Sequence, residues 1–327
     1  MWPPLASVMP SATAMATLVF SLLVIAVAAF AGGASVVVFR LGHRPMQVVV
    51  SLTGGVLLGV GMLHLLPHAW MQLGRDIDAT MGWALGGFFL MFLLERAFHG
   101  HAHHTTDGEC VHVCDHDHTH DGDHGHDHGD QHGADDASDH AHEHDDHEHC
   151  CGGGSRWAWC GAFAGLALHS LADGAALAAS IRADSAHGMG WWAGSATFLA
   201  ILLHKPLDAG IIAALMLDSD TSPRLRTIVN IAYALVVPIG AVAFLASLPL
   251  AGGRQDAVIG IAMAIAAGAF ICIAAADLLP EVEFHSHDRV LLTTALSLGL
   301  ALAWGITAME RASHAHAAQQ PASMSAP

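Results

Sequence analysis

Two apolar stretches of the chain each carry a histidine and an aspartate four residues apart. One is His169-Ser170-Leu171-Ala172-Asp173 and the other is His204-Lys205-Pro206-Leu207-Asp208. On a helix, positions i and i+4 share a face, so each motif presents an imidazole nitrogen beside a carboxylate. Ionisable groups at membrane depth cost about 2.5–3.5 kcal/mol each on insertion scales, so they are rare there and line polar sites or paths. Two such pairs facing one another make a four-ligand cage for a divalent cation, with His169, Asp173, His204 and Asp208 as ligands. Imidazole and carboxylate together suit zinc and other borderline transition metals and leave room for exchangeable water. Ser170 adds a hydroxyl beside the cage. Pro206 has no N–H for the carbonyl of Leu202, four residues back, and should bend the helix at the site.

Such a cage needs helices that cross a bilayer, and the composition supplies them. Of 327 residues, 53% are hydrophobic and 13% are charged, and the mean hydropathy is positive. This is membrane-protein composition. A span needs about 20 mostly apolar residues, and eight segments qualify: 16–39, 47–69, 81–98, 157–181, 191–217, 226–248, 256–279 and 290–310. The expected fold class is therefore an all-α integral membrane protein, a bundle of eight transmembrane helices. Most breaks between spans are short, so neighbouring spans run antiparallel. Gly55 with Gly59, and Gly161 with Gly165, are small-residue pairs that let helices approach closely in lipid. The N-terminus has no basic region ahead of its first apolar run, which reads as a span and not as a cleaved signal peptide.

The net charge of −17 is local. Between Arg96 and Arg156 lie fifteen Asp and Glu and no Lys or Arg, and from His99 to Cys151 there are seventeen histidines. With so little apolar content this segment should be disordered when metal-free. Its imidazoles and thiols are candidate loop ligands for a transition metal: His101, His103, His104, Cys110, His112, Cys114, His116, His118, His120, His124, His126, His128, His142, His144, His147, His149, Cys150 and Cys151. Cysteines amid histidines look more like soft metal ligands than a disulfide framework. The chain thus divides into spans one to three (1–98), a metal-binding loop (99–156), spans four to eight (157–312) and a C-terminal tail (313–327), also expected to be disordered. With the N-terminus outside, the inner connections hold Arg40, Arg44, Arg96, Arg156, Arg224, Arg226 and Arg289, against Arg75, Arg182, Arg254 and Arg311 outside. The positive-inside bias therefore puts both termini outside and the loop in the cytoplasm of a multi-pass protein of the cell (inner) membrane.

Further donors flank the cage. His64 and His68, i and i+4 near the outer end of the second span, are candidate entrance ligands. Asp277 and Glu281, with His285 and His287, are candidates at the cytoplasmic mouth. There is no basic patch for nucleic acid and no phosphate-binding glycine loop, so no nucleotide-driven step is expected. The expected partners are divalent metal ions and the lipid bilayer, and a homodimer is compatible with the sequence.

These residues resemble the ZIP (Zrt/Irt-like) metal transporters. The fourth span of that family typically reads His-Asn/Ser-x-x-Glu/Asp-Gly, as His169 to Gly174 does. Its fifth span carries His, then Glu, Asp or Lys, then a further carboxylate, as His204, Lys205 and Asp208 do. Leu63-His64-Leu65-Leu66-Pro67-His68 and the seventh-span stretch from Ala267-Gly268 to Asp277-Leu278-Leu279-Pro280-Glu281 are also similar. The resemblance implies mid-membrane ion binding by the fourth and fifth spans, uptake toward the cytosol, and an elevator-like motion of one helix group against another. Aspartates stand at 173 and 208 where glutamates are more usual. Members with two adjacent metal sites carry a carboxylate at the position of Lys205, and often another before a Pro-x-Gly in the sixth span. Here that place is Val237, ahead of Pro238-Ile239-Gly240. An ammonium at 205 can replace the second cation, so one transport metal is expected.

The favoured expectation is a zinc importer, not an enzyme and with no catalytic cofactor. Zn2+ or another divalent transition metal is its cargo and the ion its loop binds. A metal exporter, of the cation diffusion facilitator or nickel/cobalt permease type, is the rival within the class. An intramembrane hydrolase with metal-activated water is a rival from another class, and the sequence supplies it no evident general acid or oxyanion donor.

Overall fold

The computed structural model describes residues 11–38, 43–99, 158–186, 189–284 and 289–319, and among these the regular structure is entirely helical. The helices are α1 (Ala12–Val38), α2 (His43–Val60), α3 (Leu66–Gln72), α4 (Ile77–His99), α5 (Ala158–Ala186), α6 (Ser195–Asp218), α7 (Pro223–Ala234), α8 (Val236–Ser247), α9 (Gln255–Phe284) and α10 (Arg289–Gln319). Among the described residues, seven stretches are long and apolar enough to cross a membrane. Large apolar side chains such as Val27, Leu85, Phe89 and Ile228 lie exposed on them, as lipid-facing surfaces require. This is a multi-pass helical membrane protein.

The expected sixth span and most of the seventh fall within one 54-residue apolar stretch, Pro223–Ala276. Two interruptions divide it. Pro238 cannot donate to the carbonyl four residues before it, and the helix resets at Leu235 between α7 and α8. A tight 3₁₀ turn, Leu248–Arg254, then joins α8 to α9, with Gly252 at φ 54° and ψ −126°. That backbone is open to glycine and strained for other residues.

Packing falls largely within two groups. α1 lies along α6 and α7, and α5 along α6 and α8. α2 lies along α10, and α4, α2 and α3 pack on α9, while α5 against α9 and α2 against α6 join the groups. Glycines set the closest approaches near the site: a side chain on Gly174 would meet the backbone of Val237 and Ala241, and one on Gly240 would meet the backbone of Leu171. The pair therefore draws α5 and α8 together one residue after Asp173.

Two boundaries differ from those the sequence predicts. The fourth span is expected to end before Arg182, but α5 continues to Ala186 and buries Asp184. The continuation holds because Asp184 Oδ2 accepts a hydrogen bond of 2.7 Å from the Gly194 N–H at the start of α6. The second expected span is not one uniform α-helix either. Residues Gly61–Leu65 form a π turn closed by the Leu66 N–H on the Gly61 carbonyl, ahead of Pro67.

Candidate metal site

α5 supplies His169, Ser170 and Asp173, and α6 supplies His204, Lys205 and Asp208. All but Asp208 are at most 3% exposed, and the Asp208 side chain is 14% exposed. His169 Nε2 lies 3.3 Å from Asp173 Oδ2. His204 Nε2 lies 3.2 Å from the same oxygen and 3.4 Å from His169 Nε2. Ligand atoms around a tetrahedral zinc with bonds of about 2.0–2.1 Å stand about 3.4 Å apart. The three side chains therefore have the spacing of one triangular face of such a site.

Asp208, the expected fourth ligand, stands further out, its Oδ2 4.0 Å from His204 Nε2. It accepts hydrogen bonds from Lys205 Nζ at 2.9 Å and from the Tyr233 hydroxyl at 3.1 Å. Lys205 does not snorkel to an interface. It is fully buried, with Nζ 2.6 Å from Asp173 Oδ2, and it donates to Ser170 Oγ at 2.9 Å. Ser170 in turn donates to the Leu166 carbonyl and lies 3.1 Å from the Tyr233 hydroxyl. Tyr233, on α7, is not singled out by the sequence reasoning. Its one clue is that it is the chain's only tyrosine, set in a strongly apolar segment.

The imidazoles are aimed by what holds their outer nitrogens. His204 Nδ1 donates to the Ala200 carbonyl at 2.8 Å, which leaves the Nε2 lone pair toward Asp173. Phe270 of α9 packs edge-on against the His204 ring, with centroids 5.9 Å apart, and walls the site from the other helix group. His169 Nδ1 is buried with no hydrogen-bond partner among the described residues.

His64 and His68 gather elsewhere. His68 Nε2 lies 3.3 Å from Asp184 Oδ1, and His64 Nδ1 lies 2.8 Å from Glu310 Oε2. Sequence reasoning missed Asp184 and Glu310. Asp184 carried a usable signal, because it follows Asp173 by eleven residues, three helical turns on the same face. Glu310 carried none beyond being an acid near the end of an apolar segment. Asp277 and Glu281 fall in α9, but their side chains lie outside the described residues, as do His285, His287 and all the expected loop ligands from His101 to Cys151.

A histidine–aspartate face of this kind, buried between two membrane helices, can be compared with known proteins. The family model described as ZIP zinc transporter matches residues 14–310. The chain belongs to the ZIP zinc transporter family. Its ZIP relatives include the zinc transporter ZIP1 of Mus musculus, 25% identical over 279 residues that cover 81% of this chain and 79% of that protein. Zinc transporter ZIP4 of Rattus norvegicus is 26% identical over 291 residues, 81% of this chain and 42% of that protein. Zinc transporter ZIP9 of Micropogonias undulatus is 31% identical over 131 residues, 38% of this chain and 40% of that protein. The chain thus spans less than half the length of ZIP9 and ZIP4 and most of ZIP1.

Proposed function

We propose that this ZIP-family chain carries zinc across the cell membrane into the cytosol, binding one ion at His169, Asp173 and His204, with Asp208 as the fourth ligand. The observation that carries this reading is the set of three donor–donor distances of 3.2–3.4 Å in a buried site between two membrane helices. The zinc transporters among its relatives support the choice of ion. With neutral imidazoles, two aspartates and one lysine leave a single net negative charge, which one divalent cation more than compensates. A second cation beside Lys205 would meet an ammonium at close range.

Asp208 reaches the ion by exchanging its Lys205 and Tyr233 partners for metal. This gives the site a looser fourth position, as release of a cargo requires. Eight crossings follow if the Gly252 turn reverses the chain, since the 54 residues of Pro223–Ala276 as one helix would run about 80 Å against a hydrocarbon core of about 30 Å. The loop 99–156 lies in the cytoplasm in this arrangement, where its histidines and cysteines receive or sense the ion, and Asp277, Glu281, His285 and His287 stand at the same mouth.

Uptake of labelled zinc by cells expressing the full chain tests the direction. Accumulation is expected, and a lowered zinc content would instead establish an exporter. His169→Ala and His204→Ala proteins are expected to reach the membrane in normal amounts yet lose zinc flux in proteoliposomes to background. Retained flux would mean that the ion passes elsewhere.

A further inference from the structure

A second group of side chains able to bind a metal lies further along α5; the sequence offers two of them, His64 and His68, as entrance ligands, and the proposed transport site uses none of the three. His64 comes from the π turn, His68 from α3 and Asp184 from α5, each at most 9% exposed. One ligand atom from each lies within 4.8 Å of the other two. Eleven residues at 1.5 Å per residue put Asp184 about 16 Å along the helix from Asp173, too far to share an ion with it.

The groups that hold these three side chains all aim them inward. His64 Nδ1 faces Glu310 Oε2 at 2.8 Å, and Glu310 is itself held by the Ser195 hydroxyl at 3.0 Å. His68 Nδ1 donates to the His64 carbonyl at 2.8 Å. With both Nδ1 atoms occupied, the lone pairs sit on Nε2, and both Nε2 atoms face Asp184, at 3.9 and 3.3 Å. The Gly194 N–H fixes the carboxylate at Oδ2. Carboxylates and backbone carbonyls on the outer nitrogen are the usual means by which proteins orient metal-ligating histidines. In this structure the Ser180 hydroxyl fills the His64 Nε2 position at 3.0 Å, backed by Thr197. A hydroxyl there is a ligand that an entering cation displaces or joins.

We propose that His64, His68 and Asp184 form a second divalent-metal site, distinct from the transport site, with Glu310 as the carboxylate that positions His64. The donor set is two neutral imidazoles and a carboxylate, which suits zinc, cobalt or nickel over magnesium or calcium. The inference extends the transport reading, because the probe is the same ion, but it rests on different residues. Its ligands come from the α2–α3 segment on one side and α5 on the other, so an ion bound here ties one helix group to the other.

Crystals of the full chain grown with zinc, measured on both sides of the zinc absorption edge, test this directly. An anomalous peak is expected about 2.0–2.2 Å from His64 Nε2, His68 Nε2 and an Asp184 oxygen. It should vanish in Asp184→Asn, which keeps an acceptor for Gly194, and persist in His169→Ala/His204→Ala. Equilibrium dialysis should show one fewer zinc per chain for Asp184→Asn than for wild type, the loop being the same in both. No peak at His64, or a peak unchanged in Asp184→Asn, overturns the second site whatever the first shows. A missing peak at His169 alone overturns the transport reading and leaves this one standing.

Discussion

Lys205 is fully buried, with its ammonium 2.6 Å from Asp173 and 2.9 Å from Asp208. Removing one partner of a buried charge network leaves the others uncompensated and costs about 3–5 kcal/mol. A Lys205→Met chain is therefore expected to unfold at a markedly lower temperature than wild type without metal, and to gain more thermal stability from added zinc, because the ion becomes the aspartates' only cation. An equal zinc-induced shift in the two proteins would show that Lys205 does not compete with the metal. Tyr233 makes a finer test. Tyr233→Phe removes the 3.1 Å hydrogen bond to Asp208 and frees that carboxylate for the ion. Zinc should bind more tightly and leave more slowly, read as a lower KM with a lower maximal rate, while a changed rate at constant KM would assign Tyr233 another role. The two His–Asp pairs of the proposed site were legible as same-face pairs because spacing of four residues is a local property of a helix. Asp184 beside His68 and Glu310 beside His64 were not, because those pairings join segments more than a hundred residues apart.

At the scale of helices, the decisive contact is the glycine crossing of α5 and α8. A methyl at Gly240 would meet the backbone of Leu171, and one at Gly174 the backbone of Val237. Alanine gains about 1 kcal/mol of helix propensity over glycine, whereas overpacking costs about 1–3 kcal/mol, and backbone cannot move aside as a flexible side chain can. Sterics should win. Gly240→Ala is expected to lower the midpoint of thermal unfolding in detergent and to slow zinc flux, by pushing α5 and its Asp173 away from α8. A raised midpoint would mean that the crossing is looser than it stands here. Close packing through Gly55 and Gly59 was readable as small residues at helical spacing, and both indeed face α10, at Leu296 with Gly299 and at Ala303. The π turn was not readable. It redirects His64 by one residue of extra winding, and strict four-residue counting has no term for that.

Parity connects the helices to the whole molecule. Seven crossings would leave the two ends of the chain on opposite sides of the membrane, and eight put them on the same side. The difference lies entirely in Pro223–Ala276, where α7–α8 and α9 are separated by the Gly252 turn. Hydropathy alone marks this stretch as one continuous apolar run, because the turn is too short and too apolar to interrupt it. Only the punctuation of Pro249, Gly252, Gly253 and Arg254 divides it in the sequence. Where the two ends lie therefore decides the count. Arg40, Arg44, Arg96, Arg156, Arg224, Arg226 and Arg289 fall on one side of an eight-crossing bundle, and Arg75, Arg182, Arg254 and Arg311 on the other. The side richer in arginine is expected to face the cytoplasm. Epitope tags placed before Met1 and after Pro327 should then both be removed by a protease added to intact cells. A tag inside 99–156 should be cut only after the membrane is opened. If the two terminal tags differed in protection, the Gly252 turn would not reverse the chain, and α9 would continue the crossing begun by α7. If both were protected and the loop were cut from outside, the count would stand with the orientation inverted. The histidine-rich segment would then meet zinc before the transport site instead of after it.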